Sequence, residues 1–223
     1  MKTAKLLSYS LLTLLMLGVA TLMSCSKDDD IQPEETFDIN NPEGYFLYLK
    51  GTDSDGSNTL FELWEFMPGK TVRTYHVDGE GTSIPYTILD NNTIGIAGLQ
   101  FVFNAGLVTS NYSRIKEIVL IKAPESNQLN RKTFAGTYYK ADKSVLHQNF
   151  FYRFADEGNT VDAGFNVGTS DRTEDYTSIG NIAARAELAN GDKELMILVN
   201  GKLAVSYSAV GVTGKHYGTF TQQ

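Results

Sequence analysis

Leu60-Phe61-Glu62-Leu63-Trp64-Glu65-Phe66 decides the fold class of this chain. Large apolar residues alternate through it with a period of two, the spacing of a β-strand rather than a helix. Leu60, Glu62, Trp64 and Phe66 share one face, and Phe61, Leu63 and Glu65 share the other. Both faces carry aromatic or branched side chains, so alternation does not choose which one is buried. The same period recurs outward in both directions: Tyr45 to Leu49, Thr71 to Val77, Ile84 to Leu89, Thr93 to Ile96, Gln100 to Phe103 and Glu117 to Ile121. Turn residues separate these runs at Asp55-Gly56, Pro68-Gly69, Asp78-Gly79, Asn91-Asn92 and Asn104-Ala105-Gly106. Short strands at regular spacing, punctuated in this way, predict an all-β antiparallel barrel or sandwich. One segment, Asn181 to Ala189, reads equally as a short helix or as a strand.

The pattern occurs twice. Gly44-Tyr-Phe-Leu-Tyr resembles Gly136-Thr-Tyr-Tyr, and Trp64-Glu-Phe-Met-Pro-Gly69-Lys-Thr-Val resembles Tyr152-Arg-Phe-Ala-Asp-Glu-Gly158-Asn-Thr-Val. Tyr86-Thr-Ile precedes Asn92-Thr-Ile94 as Tyr176-Thr precedes Gly180-Asn-Ile182. Phe103-Asn-Ala-Gly106-Leu-Val resembles Val199-Asn-Gly201-Lys-Leu-Ala. These matches fall in order, and small differences in their offsets suit insertions in hairpin loops. The expected organisation is a β-domain over residues 44–122, a polar linker over 123–132 and a second, similar β-domain over 133–223, from an internal duplication. A single barrel sharing strands from both copies is the alternative arrangement.

The N-terminal region carries a different signal. Lys2 and Lys5 precede an apolar run from Leu6 to Met23, which ends in Leu22-Met23-Ser24-Cys25. Charged, apolar and small-residue segments in that order form a secretory signal. Cys25 is the only cysteine among 223 residues, so no disulfide can form within the chain. A cysteine at that place resembles a bacterial lipobox, which implies a signal peptide over 1–24 and a mature chain beginning at lipidated Cys25. Ser26-Lys27-Asp28-Asp29-Asp30 resembles the acidic export signal of surface-exposed lipoproteins of Bacteroidota. That resemblance implies display on the cell surface at the outer membrane, the lipid on Cys25 being the membrane partner. Residues 25–43 then read as a flexible acidic tether.

Charge supports this division. The chain has a net charge of −7, most of it in the tether, where residues 26–43 hold one lysine and seven acids. Residues 44–223 are nearly neutral and show no clustered Lys and Arg, so nucleic acid is not an expected partner.

No phosphate-binding glycine loop, dinucleotide fingerprint or Gly-x-Ser-x-Gly elbow occurs. His76, His147 and His216 are too scattered for a zinc site. Asp53-Ser-Asp55-Gly56-Ser-Asn58 spaces oxygen ligands as calcium loops do but lacks the closing glutamate, and it reads as a hairpin turn. The acid pairs Glu62 with Glu65, and Asp171 with Glu174 and Asp175, read as exposed strand and loop residues rather than a glycosidase pair. No catalytic residue, metal or cofactor is expected.

Aromatic residues, 11% of the chain, are the remaining candidates. Trp64, Tyr75, Tyr138, Tyr152 and Tyr207 are the expected ligand-binding residues, either stacking on a glycan or protein partner or lining an apolar pocket. Phe134-Ala-Gly136-Thr-Tyr-Tyr139 resembles the first strand of lipocalin-like barrels, where Gly-x-Trp opens the sheet; Tyr138 stands at the tryptophan place, and Phe46 in the first copy. The resemblance implies a barrel with an internal cavity. The expected function is a membrane-anchored, non-catalytic binding lipoprotein, with a structural accessory subunit of an outer-membrane complex as the alternative.

Overall fold

Trp64 and Phe66 point into one β-barrel, while Phe61 and Leu63, on the opposite face of the same strand, pack against a second. The strand is apolar on both faces because both are buried. The computed structural model describes residues 37–54 and 56–223. Cys25, the export signal at Ser26, Lys27, Asp28, Asp29 and Asp30, the signal peptide over 1–24 and Asp55 lie outside the described residues.

The first copy contributes β1 (Tyr45–Thr52), β2 (Thr59–Met67), β3 (Thr71–His76), the short β4 (Gly79–Glu80), β5 (Ile84–Ile88), β6 (Thr93–Ile96), β7 (Leu99–Asn104), β8 (Leu107–Ser110) and β9 (Ile115–Lys122). Their order in the sheet is β8-β7-β6-β5-β3-β2-β1-β9, with β4 paired to β3. This is an up-and-down meander whose last strand returns to the first. It stops short of closure at β8 and β9, which form its two edges.

The second copy contributes β10 (Thr133–Tyr139), β11 (Val145–Phe154), β12 (Thr160–Gly164), β13 (Arg172–Ile179), β14 (Ala183–Glu187), β15 (Lys193–Val199), β16 (Lys202–Ser208) and β17 (His216–Gln222). It follows the same path and closes completely, β17 pairing with β10 from Phe134↔Gln222 to Tyr139↔Tyr217. The fold is therefore all-β and antiparallel, with two similar eight-strand meanders rather than one shared barrel. The Asn181–Ala189 segment is the strand β14, paired on both sides. Its alanines favour a helix locally, but Asn181 has a positive φ of 59° and turns the chain back into the sheet.

Register refines the repeat. Leu47 pairs with Trp64 and Phe134 with Tyr152, so Leu47 and Phe134 are equivalent, and both face a barrel interior. The Gly44–Gly136 match therefore joins the right strands but lies five residues out of register. Phe46 and Tyr138, both placed at the lipocalin tryptophan position, are consequently not equivalent: Phe46 faces outward between the sheets and Tyr138 faces inward.

Three apolar clusters hold the fold. Leu47, Trp64, Phe66, Val72, Ile94, Ile96 and Phe101 fill the first barrel. Phe134, Tyr152, Phe154, Val161, Met196 and Phe220 fill the second. Between them Phe46, Tyr48, Phe61 and Leu63 meet Ile179, Ile182, Leu195 and Ile197 from the outer face of the second barrel. Residues 37–223 form one compact unit. The flexible tether expected up to residue 43 is shorter than that, because Phe37 and Ile39 pack into the first barrel. Phe37 stacks on Phe103 at 4.6 Å and meets Tyr45 edge-on at 5.1 Å. Leu129, in the segment read as a linker, is wholly buried in the second barrel's core. Each barrel is thus sealed at one end by the residues that precede its first strand.

Candidate functional site

The opposite end of the second barrel is open. In an up-and-down barrel the connections alternate between ends, so the β10–β11, β12–β13, β14–β15 and β16–β17 loops share this mouth. A cavity of about 320 Å³ enters there. Tyr138, Phe150, Phe165 and Tyr207 form much of its wall, with His147 and His216 beside them. Its polar wall is Asp171, Arg172 and Glu194.

Glu194 organises the inner end. It faces inward because it is in phase with Met196 on β15, and its side chain is completely buried. Three donors converge on its Oε1: Arg172 Nη2 at 2.7 Å, Tyr152 Oη at 2.7 Å and Tyr138 Oη at 3.1 Å. The Tyr138 and Tyr152 hydroxyls also contact each other, so whichever donates to its neighbour shares its single proton between that oxygen and Oε1. Among the described residues Oε2 accepts no hydrogen bond and Arg172 Nη1 donates none, though it lies 3.8 Å from Glu174 Oε1. Buried polar atoms without a partner are uncommon and costly.

The electrostatics follow from burial. Desolvation and the Glu194 charge push the Tyr138 and Tyr152 phenols well above the ordinary tyrosine range, so both remain donors. Burial works against the Arg172 guanidinium, but the Glu194 carboxylate outweighs it and the group holds its proton more tightly than a free arginine. Toward the rim, Tyr207 Oη donates to Asp192 Oδ2, and the Val210 amide donates to Asp192 Oδ1 at 2.8 Å. Burial would raise the Asp192 carboxyl, yet these bonds hold it below the usual range. Burial lowers His216, which stacks on Tyr207 at 5.7 Å and whose Nδ1 has no partner.

The five aromatic candidates are therefore divided. Tyr138, Tyr152 and Tyr207 come together in the second barrel, Tyr138 and Tyr207 on the cavity wall and Tyr152 beneath it. Trp64 is inside the first barrel, on the wall of that barrel's own 100 Å³ cavity, where its Nε1 donates to Glu62 at 2.8 Å. Tyr75 is buried between the sheets and donates to Glu65 at 2.6 Å. Neither has the exposed face that stacking on a sugar would need. In the calcium-like turn, Asp53 already accepts from Ser57 Oγ at 3.0 Å and the Asn58 amide at 3.1 Å, and no cluster of metal-ligating residues occurs among the described residues.

Glu194 and Arg172 escaped the sequence reading because both sit near strand starts, where charged residues usually face water. The hairpins carry a signal that finds Glu194. Asn104 pairs with Leu107 across Ala105-Gly106 as Val199 pairs with Lys202 across Asn200-Gly201. That offset sets Glu194 opposite Leu99, an apolar position in the first copy. Leu99 indeed lines the smaller, 100 Å³ cavity at the corresponding end of the first barrel. The fold does not require a carboxylate at this position; the first cavity instead carries its charged groups, Glu62 and Arg114, at other places on its wall.

No family model, no curated protein and no solved structure matches this chain. The barrel mouth is accordingly read from its own chemistry: a one-ended, aromatic-walled cavity with a buried ion pair at its inner end.

Proposed function

We propose that this is a membrane-anchored, non-catalytic binding lipoprotein whose second barrel holds a small, largely apolar ligand. The observation that carries this reading is the cavity itself. It joins an apolar, ring-lined wall to a few convergent polar groups, the usual make-up of a small-molecule site. The rim extends the apolar surface outward. Among the described residues, five of the eight exposed large apolar side chains are Val145, Phe165, Val167, Val210 and Val212. All five lie on the loops or strand starts around this one mouth. An eight-strand up-and-down barrel is also the architecture that the lipocalin resemblance implies.

The test is native mass spectrometry on a chain beginning at Ser26, purified gently from cells of the natural type. A mass excess that disappears on denaturation is expected. A bare mass under conditions that preserve the fold would overturn tight internal binding. The anchor rests on Leu22-Met23-Ser24-Cys25: Cys25→Ser should move the protein from the membrane to the soluble fraction. Surface display rests on the acidic run: replacing Asp28, Asp29 and Asp30 with alanine should protect the protein from protease added to intact cells.

A further inference from the structure

We propose that the mouth of the second barrel selects a protonated amine carried on a flat apolar body and rejects carboxylates of the same shape. This rests on the reading of the mouth as a ligand site and specifies what enters it.

The charges of the wall point this way. Asp171 and Glu194 contribute two carboxylates, against one guanidinium on Arg172. The charge of Arg172 is already matched: Nη2 is 2.7 Å from Glu194, and Nη1, though it donates no hydrogen bond, is 3.8 Å from Glu174, a third carboxylate. His216 is held toward its neutral form chiefly by burial, with His147 and Lys140 adding to that push and Asp192 only partly opposing it, so it offers an entering acid no firm positive charge. An anion could meet only Nη1, the guanidinium nitrogen that donates no hydrogen bond, and there it would stand among the carboxylates of Glu174, Glu194 and Asp171, whose charges repel it.

A cation finds the opposite situation. Glu194 is wholly buried, and among the described residues its Oε2 has no donor. A ligand N–H at that oxygen would supply the bond the protein leaves out. The rings of Phe150, Phe165, Tyr138 and Tyr207 add faces that attract a cation and pack against a flat hydrophobe. Asp171 Oδ2 accepts from the Phe165 amide at 2.9 Å and so holds the backbone that carries one of those rings.

Three probes of nearly the same shape separate charge from hydrophobicity: 2-phenylethylamine, 2-phenylethanol and phenylacetate. They would be titrated into the isotope-labelled chain from Ser26, which retains every described core, and followed by the amide signals of Gly164, Phe165 and Arg172. The amine is expected to bind about tenfold more tightly than the alcohol, and the acid not measurably. Asp171→Asn and Glu194→Gln should each narrow the amine-to-alcohol ratio. That ratio isolates charge, because a general loosening of the barrel weakens both probes together. Equal or tighter binding of the acid or the alcohol overturns the amine preference and leaves the ligand site standing. Failure of all three probes to shift these signals overturns the preference as well, and the retained-mass measurement then judges the site separately. An unchanged ratio in both variants removes Asp171 and Glu194 as its cause.

Discussion

Glu194 is the residue whose replacement tests the polar cluster most sharply. Its carboxylate neutralises Arg172 and accepts from two phenols, all at one buried oxygen. Glu194→Leu should destabilise the protein by about 3–5 kcal/mol, because it strands a guanidinium and two hydroxyls in the barrel. The double variant Glu194→Leu with Arg172→Met removes both charges together, and it should recover most of that loss in urea unfolding. Equal losses in the single and double variants would show that the stranded guanidinium is not the cause. Tyrosine ionisation gives a second test at this scale. Tyr48, Tyr75, Tyr86, Tyr138, Tyr152, Tyr176 and Tyr207 are all raised, chiefly by burial, Tyr75 to about 12. The folded state therefore holds these protons more tightly than the unfolded chain, whose tyrosines titrate near about 10. Their contribution is complete below that pH and is lost as pH rises through the folded values. In an alkaline titration, phenolate absorbance from these seven should appear together with loss of near-UV circular dichroism. Phenolate formation from them in a fully native spectrum would contradict their burial.

Gly180 shows how one turn joins the two barrels. Gly180 and Asn181 both have positive φ, at 54° and 59°, as a type I′ turn requires, and the Ile182 amide closes the turn on the Ile179 carbonyl at 3.1 Å. A Cβ on Gly180 would lie 2.2 Å from the Phe46 ring, so the turn of one barrel is pressed against β1 of the other. Gly180→Ala should therefore cost about 2–4 kcal/mol, from backbone strain and overpacking combined. Gly201→Ala is the control: its φ is 72°, but a Cβ there meets nothing within 4 Å, and its cost should stay near about 1 kcal/mol. Thermal unfolding would compare the two, and equal costs would mean that Phe46 yields freely. At this scale the sequence was most legible. Period two and turn residues placed most strands of the first copy within a few residues of their observed bounds, since strand pairing leaves its mark on local pattern. Short β8 was harder to read, because Leu107 is exposed and its four residues alternate only weakly. The register between copies was also hidden, being set by cross-strand pairing and not by residue identity. The site was legible only in its aromatics: the inward turn of Glu194 and Arg172 depends on phase within strands whose first residues look like surface.

At the scale of the whole molecule, the two barrels cannot be separated without exposing apolar surface. Phe46, Tyr48, Phe61 and Leu63 belong to no barrel interior; they are buried only because Ile179, Ile182, Leu195 and Ile197 cover them. Lys215 strengthens the same join, its amide donating to Asn58 Oδ1 at 2.8 Å and its ammonium pairing with Asp78. The two similar units share a third core, and the double-sided apolar pattern of Leu60 to Phe66 is the trace of it. Residues 37–223 should consequently unfold in a single cooperative transition, with calorimetric and van't Hoff enthalpies in agreement. Residues 127–223 alone keep Leu129, the closed sheet and the core of the second barrel, so they should still form the barrel. Their uncovered isoleucine face should make them self-associate on size exclusion, and Ile182→Lys with Ile197→Lys should restore the monomer. A fragment that is monomeric without those changes, or two resolved transitions in the intact unit, would mean that the shared core does not couple the barrels. In that case ligand entry at the second mouth would be energetically independent of the first barrel. With the coupling present, a bound ligand that stabilises the closed barrel raises the unfolding temperature of the first barrel along with it.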